Sequence, residues 1–110
     1  MKPKKLIRNL IINKLKTGEF EELSDINEIN KLYALKIKEE LIEIQNSDHK
    51  DILEFVDLMQ VAIDFAITNG FSSEELHNAL ELKALNKGVF GKLVLNNLNP
   101  DNVSNKIYFN

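Results

Sequence analysis

The chain contains no cysteine, which excludes a disulfide framework, a thiolate nucleophile and a thiolate zinc site and fits a reducing compartment. Its histidines, His49 and His77, stand alone in the sequence and are expected to be solvated rather than ligands or bases. Proline occurs only at Pro3 and Pro100, so the middle of the chain carries no helix breaker. No long apolar run is present either. The opening "KPKKLIRNLIIN" is interrupted at Arg8, Asn9 and Asn13, well short of a signal or membrane-spanning segment, and a cytoplasmic protein without a membrane partner is expected.

Charge is missing from two places. Residues 1–17 hold no acid but carry Lys2, Lys4, Lys5, Arg8, Lys14 and Lys16, whereas residues 51–69 hold no Lys or Arg. A basic arm suits nucleic acid, an anionic surface or the anionic part of a small ligand. No aromatic residues are interleaved with these cations and the rest of the chain is net acidic, so nucleic acid is not the expected partner.

What is present is the composition of an ordinary globular protein. The 110 residues are 44% apolar and 28% charged, which suits one domain over residues 1–110, with a core at about 5–95 and a tail at 96–110. Four helices are expected: Lys5 to Lys16, closed near Gly18; Asp25 to about Asn46, with Asp25 and Glu28 as a capping box; Asp48 to Asn69, closed at Gly70; and Ser72 to about Lys87, with Ser72 and Glu75 as a second capping box. The tail, with short β-like runs around an Asn-rich loop, is expected to be irregular or a hairpin. The expected fold is therefore an all-α helical bundle. Because so small a domain buries little surface, its core is expected to be completed by a homo-oligomer, a dimer or a dimer of dimers.

The acids on the two middle helices carry the chemistry. Ile26, Ile29, Tyr33, Ile37, Leu41 and Ile44 define one apolar stripe on the second helix, and Glu40 projects between the directions of Ile29 and Tyr33, with Glu43 at the edge. The third helix is apolar around most of its circumference and is expected to be largely buried. Its exceptions, Glu54, Asp57, Gln60 and Asp64, recur along one narrow strip. Carboxylates in such positions need Arg, Lys or a metal nearby, and oxygen ligands without His or Cys favour Mg²⁺, Mn²⁺ or Ca²⁺ over zinc. If the two helices are antiparallel neighbours, the pairs Glu40/Glu43 and Glu54/Asp57 face each other.

"EELIE" (Glu39 to Glu43) followed by "EFVD" (Glu54 to Asp57) resembles the paired acidic motifs of the all-α nucleoside triphosphate pyrophosphatases, the superfamily of the MazG proteins, the dimeric dUTPases and phosphoribosyl-ATP pyrophosphohydrolase. "KLIRN" (Lys5 to Asn9) and "KALNKGVF" (Lys83 to Phe90) resemble the opening and the ending of its small phosphoribosyl-ATP pyrophosphohydrolase-like, MazG-type members. The resemblance implies a MazG-like bundle in which Glu40, Glu43, Glu54 and Asp57 bind Mg²⁺, with Mn²⁺ as a substitute. It also implies that Glu39 supports them or serves as the base for the attacking water, and that Lys5, Arg8, Lys83 and Lys87 hold phosphates. The implied activity is hydrolysis of a nucleoside triphosphate to the monophosphate and pyrophosphate, in a homo-oligomer. The chain departs from the pattern at Asn9, where the family has Asp, and at Lys87, where it has Arg, which replaces a bidentate fork by a point charge. The competing expectation is a non-catalytic helical binding or assembly module that keeps the acids as a structural or regulatory cation site.

Overall fold

Asp25 opens the first long helix, α1 (Ile26–Asn46), by accepting a hydrogen bond from the Asn27 backbone N–H. The reciprocal bond expected from Glu28 gives way to an ion pair: Glu28 lies 3.3 Å from the ammonium of Lys4, which also contacts Glu21. The computed structural model describes residues 3–96, and within them the chain is all-helical: a short 3-10 turn at Asn9–Lys14, α1, α2 (Ile52–Thr68) and α3 (Ser73–Lys87).

The boundary between α1 and α2 falls later than the sequence suggests. Asp48 and His49 both adopt positive φ, 58° and 61°, which turns the chain and prevents a helix from starting there. Asp51 then caps α2 by accepting from the Leu53 N–H. At the other end Gly70, with φ 101°, supplies the left-handed residue that follows the Asn69 cap. Ser72 and Glu75 form the full capping box that starts α3.

The expected helix from Lys5 to Lys16 is replaced by an extended arm, with only the 3-10 turn Asn9–Lys14 inside it. The run "LIRNLII" combines β-branched Ile with Asn, both modest helix formers, and the turn buries no residue that would select a helix. The arm is tied to the helices by Lys4, Lys5 and Arg8 instead. The expected hairpin lies mostly at residues 97–110, outside the described residues, and residues 88–96 form no strand.

α1 and α2 form an antiparallel hairpin whose register is read directly from paired side chains. Asn30 and Asn69 exchange amide hydrogen bonds, Tyr33 stacks on Phe65, and Glu40 meets Asp57. Among the described residues the buried ones are Leu32, Glu40 and Ile44, all from α1 and none of them fully enclosed. α3 packs on α2 and not on α1.

The apolar third helix, now α2, expected to be largely buried with the help of a second copy, is not covered within the single chain. None of its residues is buried, and Ile52, Leu53 and Met59 are 74%, 64% and 62% exposed. The reason is supply: a single hairpin partner and a loosely attached α3 cannot surround a helix that is apolar on most sides. No helix among the described residues is long and apolar enough to cross a membrane.

Candidate metal centre

The buried row of α1 is Leu32, Lys36, Glu40 and Ile44, spaced four apart, so the helix repeat that aims leucine and isoleucine at α2 also aims a lysine and a glutamate there. Glu40 is only 6% exposed. Opposite it, one turn of α2 presents Glu54 and Asp57, both half-buried. One carboxylate oxygen from each of Glu40, Glu54 and Asp57 lies within 4.8 Å of the other two.

Such an arrangement is electrostatically costly without cations, and part of the compensation is visible. Arg8 reaches from the arm to bond Asp57 through its guanidinium. Lys36 stands 3.5 Å from Glu40 and 3.3 Å from Glu39, and Lys5 stands 3.3 Å from the other Glu39 oxygen. Among the described residues Glu54 forms no ion pair. Loss of solvation, followed by the charges of Glu43, Asp51, Asp57 and Glu40, raises its pKa. Glu39 behaves oppositely: partial burial pushes its pKa up, but the hydrogen bonds and charges of Lys36 and Lys5 prevail and bring it below the usual value.

The residues expected at the site are therefore distributed unevenly. Glu40, Glu54 and Asp57 converge, while Glu43 is exposed at the rim, close enough for its charge to be felt by Glu54 but outside the group of three. Lys5 and Arg8 line an open cavity of about 400 Å³ between the arm and the α1–α2 hairpin, together with Glu40 and Asp57. Glu39 has one oxygen engaged by Lys5 and the other by Lys36. Lys83 and Lys87 are exposed on α3 and do not line the cavity.

Lys36, Tyr33, Gln60 and Asp64 also border the cavity. Lys36 carries a signal that the sequence does offer, since Glu39 and Glu40 follow it by three and four residues on one face. The donor set is all carboxylate, which suits a hard divalent cation rather than zinc. The arrangement can hold such a cation at the mouth of a cavity whose arm side is basic. Compared with protein-family models, with curated proteins and with solved structures, the chain finds no match in any of the three.

Proposed function

We propose that the protein is a Mg²⁺-dependent nucleoside triphosphate pyrophosphohydrolase of the MazG-like kind, cleaving between the α- and β-phosphates to release a nucleoside monophosphate and pyrophosphate. The observation that supports it most is the convergence of Glu40, Glu54 and Asp57 from two helices beside the basic side chains of Lys5 and Arg8. A triphosphate and three carboxylates repel unless divalent cations lie between them, and a site with acids on one side and cations on the other accommodates both partners of such a complex.

Glu40, Glu54 and Asp57 would hold the cation, with Glu43 completing the set from the rim. Bound Mg²⁺ supplies Lewis-acid polarisation of a phosphoryl oxygen and makes an attacking water more acidic. The chain's own contribution is positional. Arg8, which bonds Asp57 from the arm, would be placed to grip phosphate with its planar fork when the acids hold a cation, and Lys5 lies on the same arm. Lys36 holds the Glu39 and Glu40 carboxylates in place through its ion pairs with both. Lys83 and Lys87 would act only if α3 of a second copy brought them to the cavity.

A homodimer belongs to the same proposal, because the exposed apolar face of α2 is the surface that a second copy would cover. The reading that competes is a non-catalytic helical module. It is favoured by the ion pairs Arg8–Asp57 and Lys36–Glu40, which already neutralise part of the acidic group. Pyrophosphate release from a panel of canonical, deoxy, modified and phosphoribosyl nucleotides, with Mg²⁺ and with chelator, separates the two. Mg²⁺-dependent release is expected; none with any nucleotide, in protein that binds Mg²⁺, selects the module.

A further inference from the structure

The cavity does not end at the acids. From Asp57 its wall continues along α2 to Gln60, Val61 and Asp64, and Tyr33 of α1 closes this far end. Asp64 lies seven residues beyond Asp57, about 10 Å along the helix and within about 20° of the same direction. That separation is comparable with the reach of a nucleoside from its 5′ phosphorus to the far edge of its base.

The far end is built differently from the acidic end. Tyr33 stacks on Phe65 with centroids 4.9 Å apart and planes 5° from parallel, and the Thr68 hydroxyl donates to the Tyr33 oxygen at 3.2 Å. The ring is thus fixed from behind while part of it borders the cavity. The Gln60 side-chain amide donates to both Asp64 oxygens, at 3.1 and 3.0 Å. This holds the carboxylate in place and leaves part of its acceptor capacity unused. No cation pairs with Asp64 among the described residues, so its unused acceptor sites are open to a donor from a ligand in the cavity.

We infer that the Tyr33–Gln60–Asp64 end of the cavity reads the nucleobase, and that it selects bases carrying an exocyclic amino group. The inference rests on the pyrophosphohydrolase reading for the placement of the triphosphate at the acidic end. An amino group donates to the Asp64 carboxylate, whereas a carbonyl oxygen at the same place repels it and leaves the acceptor unpaired. Asp64 is half-buried, so the discrimination is expected to reach about tenfold rather than the far larger ratios of a fully enclosed site.

The test compares kcat/KM for pairs that differ at this group, CTP with UTP and ATP with ITP, in the unaltered protein and in Asp64→Asn, with Mg²⁺. Asparagine offers a donor as well as an acceptor, so it tolerates the carbonyl. The amino member of a pair is expected to be favoured about tenfold in the unaltered protein, and the preference is expected to collapse or reverse in Asp64→Asn, while the response of the melting temperature to Mg²⁺ alone stays the same. Turnover with equal kcat/KM within each pair, or a preference that Asp64→Asn leaves intact, overturns the base-reading inference and leaves the pyrophosphohydrolase reading standing. No turnover of any nucleotide overturns both.

Discussion

Glu54 is the acid with most to gain from a cation, because three neighbouring carboxylates surround it on the side of the site and no basic residue among those described pairs with it. Its pKa is raised in the folded protein, so the folded state binds this proton more tightly than the unfolded chain does. Stability from that proton is present below the ordinary carboxylate range and lost as pH rises through the folded value. Glu54→Gln is therefore expected to melt higher than the unaltered protein at neutral pH in chelator, to lose that advantage well below pH 4.5, and to respond less to Mg²⁺. Thermal unfolding at both pH values checks this, and identical curves at neutral pH would remove the repulsion that defines the site. Arg8→Ala is expected to raise KM while leaving Mg²⁺ affinity unchanged or tighter, since it removes a phosphate contact and also the competitor for Asp57. Weaker Mg²⁺ binding by titration calorimetry would contradict that. Glu40 was legible in the sequence because a glutamate on an apolar stripe has few explanations; Lys36 was missed, although its spacing to Glu39 and Glu40 is a signal that the sequence carries. The Arg8–Asp57 bond was not legible, for it joins residues 49 apart in sequence and depends on an extended arm that helix patterning mistakes for a helix.

At the level of elements, local signals succeeded where side-chain chemistry decides the backbone and failed where tertiary contacts do. The Ser72–Glu75 capping box is written in four residues and forms as written. Ser72→Ala is expected to destabilise the protein by about 1 kcal/mol, seen as a lower melting temperature without loss of Mg²⁺ response. An equal melting temperature would mean that α3 unfolds separately from the α1–α2 hairpin, which is its principal neighbour only through α2. The start of α2 was misread because successive left-handed residues at Asp48 and His49 leave no periodic trace. The arm was misread because its apolar residues follow helical spacing, yet they line the cavity or face solvent rather than a helix partner.

For the whole molecule, the all-helical class followed from patterning, and the antiparallel pairing of the middle helices from their short connection; that α3 packs on α2 alone did not. Among the described residues α1 and α2 form a hairpin to which α3 is joined through α2 alone. A dimer through α2 is expected by light scattering at micromolar concentration, and Met59→Lys with Leu53→Lys is expected to shift it toward monomer with lower stability. A monodisperse, fully active monomer would contradict the proposed assembly. Phosphorus NMR of a nucleoside triphosphate hydrolysed by the protein is the most direct test of the chemistry, since it identifies the bond cleaved as well as the dependence on metal. Monophosphate and pyrophosphate appearing together, only with Mg²⁺ and not in Glu40→Gln, is the expected result; a diphosphate with inorganic phosphate, or no Mg²⁺-dependent product from any nucleotide, would contradict it.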